Sequence, residues 1–250
     1  SPNVPGIRTV YYQLDSRTGP WAQATGSGPF GIALPALSLG AHTLYAFAAD
    51  RLENAVNCVT GNIAALAFTV LPAPVALSAV KSRKTHAGVD RDLTIRTGVA
   101  INGNLSVEPR LIGAGHRLVF QFGGAVSQPG TASVVDAAAA PIGNAAAAVN
   151  PLNNSEVIVT LSGIPDGRRV NVTLAGVNSG VNSQAVAVGF LAGDFNDSQA
   201  VTAADISGAR ALNGKTVDDS NARFDVLANG AIDARSITVI KANAGKLLAP

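Results

Sequence analysis

Val170-Asn171-Val172-Thr173-Leu174 alternates apolar and polar side chains, and this pattern decides the fold class of the chain. Because successive side chains of a β-strand point to opposite faces, such alternation predicts a strand with one buried and one exposed face. Six more segments carry this pattern or a short apolar run of strand length: 75–80, 93–96, 118–122, 133–135, 157–161 and 185–191. Seven strands in a stretch of this length predict a two-sheet β-sandwich over residues 74–191.

A second set of alternating segments lies upstream, at residues 9–15, 40–50 and 64–70. They predict another sandwich over residues 1–73, separated from the first by the stiff linker Pro72-Ala73-Pro74. The stretch is short for a full sandwich of about 100 residues. It is therefore either a compact variant or one that lacks a strand. A missing strand would leave an edge able to accept a strand from a neighbour.

Two resemblances accompany these patterns. The run LPALSLGAHTLYAFAAD at 34–50 resembles the late strands of immunoglobulin-like repeats in large extracellular bacterial proteins. The segments SRKTH at 82–86, VEPR at 107–110 and LVFQF at 118–122 resemble a poorly characterised bacterial module that directly precedes dockerin-like repeats. The resemblances imply immunoglobulin-like folds and an extracellular location, secreted or at the cell surface, and no activity.

After Leu191 the apolar period becomes helical, and a repeat appears at a spacing of 31 residues. The first copy, DFNDSQAVTAAD, begins at Asp194, and the second, DVLANGAIDARS, begins at Asp225. Each copy continues into a short predicted helix. The helices end at Gly214 and Gly245, where glycine fits the left-handed conformation that terminates many helices.

The first copy has the ligand pattern of a calcium loop. A twelve-residue loop surrounds this hard cation with oxygens from positions 1, 3, 5, 7, 9 and 12, position 7 using its main-chain carbonyl. The predicted ligands are Asp194, Asn196, Ser198, the carbonyl of Ala200, Thr202 and Asp205. Gln199 departs from the pattern at position 6, where glycine usually permits the turn. Asp197, at position 4, is expected to point outward.

The second copy is incomplete. It supplies Asp225, Asn229, the carbonyl of Ala231 and Asp233. Leu227 replaces the oxygen ligand at position 3, and Ser236 replaces the carboxylate at position 12. We expect this second site to be weak or empty, with its loop held by packing and hydrogen bonds. An alternative for both copies is that Thr202 and Asp233 only cap the following helices.

The duplicated loop–helix arrangement resembles type I dockerins over residues 193–246. The resemblance implies a small calcium-binding module, residues 192–250, that recognises a protein partner through loop positions 10 and 11 and a basic residue on each helix. These positions hold Ala203, Ala204, Ala234, Arg235, Arg210 and Lys241. The Ser/Thr pair of cellulosomal dockerins is absent, so the partner could be a cohesin-like domain, a neighbouring domain of the same chain, or a second copy.

The predicted fold class is therefore mainly β: two immunoglobulin-like β-sandwiches followed by a small α-helical dockerin-like module. The net charge of +2 leaves no electrostatic footprint for nucleic acid, and the basic run at 81–84 is expected to be a solvated strand end. No apolar stretch reaches the roughly 18 residues of a membrane span. Cys58, the single cysteine, rules out an internal disulfide and is expected to be a small apolar residue.

Catalysis has few candidates. His86 could act with Asp90, Asp92 or Glu108, but residues at sandwich ends are more often structural ties, and His116 is expected in an exposed loop. We expect a non-catalytic chain, and its opening Ser1-Pro2-Asn3 suggests a processed protein or a C-terminal piece.

Several non-catalytic functions remain open. The first is a calcium-stabilised structural or interaction region at the C-terminus of a secreted or surface protein. The second is a dockerin that joins a parent enzyme or adhesin to a cohesin-type partner. The third is carbohydrate binding, which Trp21 and three tyrosines supply poorly. A variant of the first is a fibre subunit that assembles by strand complementation.

Overall fold

The computed structural model of the chain describes residues 7, 9–27, 29–49 and 63–249. Strands hold 41% of the residues and helices 11%, which confirms the prediction of a mainly β chain. The chain divides into two units, Ser1–Pro72 and Ala73–Pro250. Cys58 lies outside the described residues. No helix in the described part of the chain is long and apolar enough to cross a membrane.

The first unit contains an antiparallel sheet with the strand order β2-β1-β3-β4. The strands are β1 (Thr9–Leu14), β2 (Ala22–Gln23), β3 (Gly40–Ala49) and β4 (Ala64–Val70). Trp21 is buried and meets the Phe47 ring edge-on at 5.0 Å between centroids, so its indole belongs to a small core and does not form a binding platform. The described strands of this unit form one sheet, and the sandwich over residues 1–73 stays a prediction.

The second unit contains nine strands in two sheets. They are β5 (Leu77–His86), β6 (Val89–Ile95), β7 (Val107–Glu108), β8 (His116–Phe122), β9 (Thr131–Asp136), β10 (Asn144–Val149), β11 (Glu156–Ser162), β12 (Arg168–Ala175) and β13 (Ser183–Phe190). One sheet has the order β10-β11-β8-β5-β6 and the other β7-β13-β12-β9. Neighbouring strands are antiparallel except β7, which pairs in parallel with β13.

The two sheets share one apolar core, and the alternation along β12 shows why. Val170, Val172 and Leu174 are fully buried, whereas the intervening Asn171 and Thr173 are partly exposed. The buried side chains belong to the same core as the apolar side chains of β8 and β11. Because burying each such side chain stabilises the fold by about 1.5–3 kcal/mol, a one-residue shift of register would be strongly unfavourable.

The segment after β13 forms two helices, α1 (Ala203–Ala211) and α2 (Ala234–Ala242). They pack against each other and against the two-sheet part of the second unit through a common apolar cluster. On the sheet side this cluster contains Leu105, Val107, Ala187 and Leu191, and on the helical side it includes Phe195, Val201, Val226, Ile237, Ile240 and Leu248. The helical segment and the sheets therefore share a core within one unit.

Candidate functional site

The two predicted calcium loops, residues 194–205 (loop 1) and 225–236 (loop 2), have matching backbones. Position 4 has a left-handed φ in both, 58° at Asp197 and 51° at Ala228. Position 6 does as well, 67° at Gln199 and 86° at Gly230. Gln199 thus adopts the conformation that glycine normally supplies at this turn. The sequence repeat is also a repeat of backbone geometry.

Equivalent main-chain contacts also join each loop to the rest of the helical segment. Ala200 of loop 1 forms a β-bridge with Leu247 after α2, and Ala231 of loop 2 forms one with Thr216 after α1. Beside each bridge, a glycine amide donates to a loop carbonyl. These bonds are Gly245 to Val201 and Gly214 to Ile232, both 2.9 Å. Each loop is therefore closed by the chain that follows the other loop's helix.

Loop 1 holds two buried carboxylates, Asp194 at position 1 and Asp205 at position 12. Asp194 accepts hydrogen bonds from the amides of Ser198 and Gln199, at 3.1 and 2.7 Å. Asp205 accepts the amide of Phe195 at 3.0 Å, which brings position 12 back to the start of the loop. Among the described residues, no basic side chain pairs with either carboxylate. Burial raises the pKa of Asp194, and the nearby Asp205 and Asp197 raise it further.

The other predicted ligands of loop 1 lie beside these carboxylates. The Ser198 hydroxyl is 2.9 Å from the Ala200 carbonyl and 3.4 Å from Asp194. The Asn196 side-chain oxygen accepts the Ser198 amide at 3.0 Å. The Thr202 hydroxyl donates to Asp205 at 2.9 Å. The six predicted calcium ligands thus form two adjoining groups, one around Asp194 and one around Asp205. The Phe195 amide, which donates to Asp205, joins the two groups.

This donor set fits calcium better than a transition metal. No three His, Cys, Asp or Glu side chains of the described residues cluster as a metal site. Loop 1 instead combines two carboxylates with amide, hydroxyl and main-chain oxygens, the hard donors that calcium takes six to eight at a time.

The two polar side chains of loop 1 that are not predicted ligands hold it against the sheets. Asp197 accepts the amide of Val107 on β7 and the guanidinium of Arg223, both at 2.9 Å. Gln199 donates to the carbonyl of Gly103 at 3.0 Å and accepts from Arg169. Gln199, the one departure from the calcium pattern, thus fixes the loop in place. Asp197 points away from the loop centre, toward these partners.

Loop 2 repeats the first-position geometry with one addition. Asp225 is fully buried and accepts the amides of Asn229 and Gly230, at 3.2 and 2.7 Å, as Asp194 does in loop 1. The same carboxylate also accepts a hydrogen bond from His86 Nδ1 at 2.7 Å. His86 is the last residue of β5, so this bond joins loop 2 to the sheets.

The remaining positions of loop 2 do not complete a cation site. Leu227, at position 3, packs against the shared apolar cluster and lines a cleft of about 730 Å³. Ser236, at position 12, is buried, and its hydroxyl donates to the Ala231 carbonyl at 3.4 Å. Asp233 caps α2, accepting the amides of Arg235 and Ser236. Of the expected second-site residues, only Asp225 is a buried carboxylate, and it is bonded to a side chain.

Behind His86 lies a buried ionic network formed by Ser82, His86, Glu108, Arg110 and Asp225, each no more than 3% exposed. Arg110 donates to His86 Nε2 at 3.1 Å and twice to Glu108 at 2.7 Å. Ser82 also donates to Glu108. Burial alone would raise the pKa of Glu108, but the Arg110 guanidinium holds it at about 2.

The structure shows the partners of His86 and corrects one sequence expectation, the exposed loop for His116. In the described residues His86 bonds only to Asp225 and Arg110, not to Asp90, Asp92 or Glu108, and its side chain is buried. His116 is buried in β8 and stacks on Phe190 at 4.1 Å, so the expected exposed loop is wrong. Burial lowers the pKa of His116 to about 3.

The basic run at 81–84 is also less solvated than expected. Lys84 is buried, and its ammonium donates to the carbonyls of Ile112 and Gly115, at 2.6 and 2.8 Å. Burial lowers the pKa of Lys84 to about 8. Arg83 pairs with both carboxylate oxygens of Asp92, at 2.7 and 2.8 Å. No local sequence signal separates the buried Lys84 and the partly buried Arg83 from solvated cations, because their partners lie on other strands and turns.

The positions that the dockerin resemblance marks for partner recognition all lie at the surface. The exposed residues are Ala203, Ala204 and Arg210 on α1, and Ala234, Arg235 and Lys241 on α2. The buried side of the same helices faces the shared apolar cluster, through residues such as Ala209 and Ile240.

Comparisons with protein-family models, with curated protein sequences and with solved structures find no match to this chain.

Proposed function

We propose that the chain is a non-catalytic, extracellular structural and interaction region of a bacterial protein. In this proposal, residues 192–250 are a dockerin-like module that binds one calcium ion in loop 1. The observation that carries it is the pair of buried carboxylates, Asp194 and Asp205, which no basic side chain of the described residues neutralises.

Electrostatics supports a bound cation. Taking a carboxylate out of water costs several kcal/mol unless it is paired or coordinates a metal. Asp194 and Asp205 receive only amide and hydroxyl hydrogen bonds from their own loop. A calcium ion bound by these two carboxylates with Asn196, Ser198, Thr202 and the Ala200 carbonyl would supply the missing positive charge.

The packing supports a structural role for that ion. Loop 1 contacts the sheets through Asp197 and Gln199, and Val201 lies in the shared apolar cluster. An ion that rigidifies loop 1 would therefore also stabilise the two-sheet part of the unit. The non-catalytic assignment draws on the burial of His86 and His116 and on their contacts, His86 with Asp225 and Arg110 and His116 with Phe190.

Calorimetry of the full chain, with excess calcium and with a chelator, tests the proposal. A ligand at 100 times its dissociation constant adds about 2.7 kcal/mol, which for a unit of this size raises Tm by about 5–10 °C. We expect this calcium-dependent rise in the wild type, and its loss in Asp205→Asn. Asp205 also caps α1, so only the difference between the two conditions is diagnostic.

Ser236→Ala, at the equivalent position of loop 2, is the matched control and should keep the full calcium-dependent rise. The single Trp and all three Tyr lie in the first unit, so intrinsic fluorescence reports separately on that unit and should not respond. A wild type without a calcium-dependent shift would refute the proposal.

A second candidate is a dockerin that binds a cohesin-type partner, favoured by the exposure of the recognition positions on α1 and α2. Arg235 and Lys241, both exposed, would contribute the basic contacts. Pull-down by an immobilised cohesin-type domain in calcium, lost in Arg235→Ala/Lys241→Ala, would support this function. If the wild type does not bind, the partner of the module would be its own chain or a second copy of it.

A further inference from the structure

The first carboxylates of the two loops meet different neighbours. Asp194 and Asp225 each accept two amides of their own loop with nearly the same lengths. The third donor differs: Asp194 receives the Ser198 hydroxyl of its own loop at 3.4 Å, whereas Asp225 receives the Nδ1–H of His86, 139 positions earlier in the chain, at 2.7 Å. The His86 bond is made in the loop that has lost its oxygen at position 3 and its carboxylate at position 12.

His86 is held in the one state suited to this contact. A guanidinium can only donate, so the Arg110 bond makes Nε2 of His86 an acceptor and leaves the ring proton on Nδ1. That proton points to Asp225. Arg110 is itself fixed by Glu108 and by the carbonyls of Ser82 and Arg91. Arg110 therefore orients the His86 donor, and the Asn229 and Gly230 amides orient the Asp225 acceptor.

The turn between β5 and β6 also fits loop 2 sterically. A Cβ added to Gly230 would lie 2.6 Å from the Cβ of Ala87, the residue after His86. Two further contacts join the helical segment to residues that precede β8. The Val226 carbonyl of loop 2 accepts the Leu111 amide at 2.9 Å, and Asp219, before loop 2, pairs with Arg91 of β6 at 2.7 Å. Glycine at position 6 therefore serves the approach of this turn as well as the local backbone.

We infer that loop 2 is a docking site for the β5–β6 turn of its own chain, in which the His86 N–H, rather than a metal ion, satisfies the first carboxylate. Loop 2 thus binds the sheets where loop 1 is proposed to bind calcium. The inference concerns loop 2 alone and does not require that loop 1 bind an ion. It assigns residues 192–250 an intramolecular partner, which loop 2 contacts.

Amide hydrogen exchange of the full chain in chelator tests this, because equivalent amides report on the two loops. Asn229 and Gly230 report on loop 2, and Ser198 and Gln199 on loop 1. We expect His86→Ala to lower protection of the loop 2 amides about 10-fold or more and to leave the loop 1 amides unchanged. His86→Asn, which keeps an N–H donor on the same Cγ, should restore most of the lost protection.

Unchanged loop 2 protection in His86→Ala, or an equal loss in both loops, would overturn the inference. A calcium titration of the wild type keeps the test valid if His86→Ala does not fold. We expect calcium to raise protection of the Ser198 and Gln199 amides only. A calcium-dependent rise at Asn229 and Gly230 would show that loop 2 is still a cation site and would overturn it. No rise in either loop would refute calcium binding by loop 1 and leave the inference standing.

Discussion

Loop 1 and loop 2 share their backbone and differ in what faces their first carboxylate. Asp194 meets hydroxyl, amide and carboxylate groups of its own loop, whereas Asp225 meets the imidazole of His86. The difference follows the sequence: in the loop that keeps its oxygens, no basic side chain of the described residues pairs with Asp194 or Asp205, whereas in the loop that lost two of them a histidine bonds to Asp225. The desolvation cost of a buried carboxylate must be offset by a positive charge or by hydrogen bonds. These can come from a bound cation or from a side chain on another strand.

The largest expected effect comes from removing the support of His86. Arg110→Met would leave Glu108 as an unpaired buried charge, which costs about 3–5 kcal/mol of unfolding free energy. Urea unfolding followed by far-UV circular dichroism would measure it, with intrinsic fluorescence of the first unit as the internal control. The double variant Glu108→Gln/Arg110→Met should recover part of the loss. A change below about 1 kcal/mol would contradict the importance of the network.

Filling the space between loop 2 and the β5–β6 turn should cost somewhat less. Gly230→Ala adds left-handed strain of about 1–2 kcal/mol and overpacking against Ala87 of about 1–3 kcal/mol. Gly214→Ala, with φ of 81° and open space around its Cβ, is the matched control for strain alone. Urea unfolding should rank Gly230→Ala as the weaker protein, and Ala87→Gly should rescue it. Equal losses in both glycine variants would argue against a close approach.

Lowering the pH should destabilise the second unit, in which His116 is buried near the ionic network. His116, which lines a cavity of about 50 Å³ with Glu108 and Arg110, has its pKa lowered to about 3 by burial. The unfolded state therefore binds more protons between pH 3 and 6.5, and stability is lost as pH falls through this window. From the unfolded value of 6.5, we expect about 2 kcal/mol less stability at pH 5 than at pH 7.

His116→Phe, which keeps an aromatic ring against Phe190, should flatten this pH dependence in urea unfolding with chelator present. In the first unit, Asp15 raises the pKa of His42 through their hydrogen bond, so stability there is lost as pH rises. A pH dependence unaltered by His116→Phe would place the acid-sensitive group elsewhere.

The helix caps should give the smallest effect and the finest distinction between the loops. Thr202 caps α1 and Asp233 caps α2, and replacing either by Ala should cost about 1 kcal/mol. For Thr202→Ala we expect a larger Tm decrease in calcium than in chelator, because the same hydroxyl is a proposed ligand. Asp233→Ala should lose the same amount in both conditions. Equal losses for Thr202→Ala would mean that Thr202 is only a cap.

Much of the sheet structure could be predicted, because alternation directly reflects a face buried against a core. All seven segments predicted over residues 75–191 overlap observed strands. The edge strand β10, Asn144–Val149, was missed because four consecutive alanines hide which side faces inward. The two-residue β7 was missed because it is too short to show a period.

The candidate site divides along similar lines. The predicted ligand positions of loop 1 come from local spacing, because a calcium loop is built from one continuous segment, and calcium binding there stays a prediction. The buried ionic network and the buried Lys84 could not be predicted, since Ser82, Lys84 and His86 form the polar face of an ordinary strand in the sequence, and their partners lie far along the chain. The local sequence at 107–110 does not predict that Arg110 and Glu108 pair in a buried network that contacts loop 2, more than a hundred positions later.

One consequence of the His86–Asp225 bond concerns the order of events during folding. The Phe195–Asp205 bond of loop 1 spans 10 positions, whereas His86–Asp225 spans 139. Short loops close quickly and long ones wait for the intervening chain. As synthesis proceeds from the N-terminus, β5 and Arg110 emerge long before Asp225. His86 therefore lacks its Asp225 partner until the C-terminal segment has been synthesised. The His86–Asp225 bond that joins loop 2 to the sheets is then among the last to form.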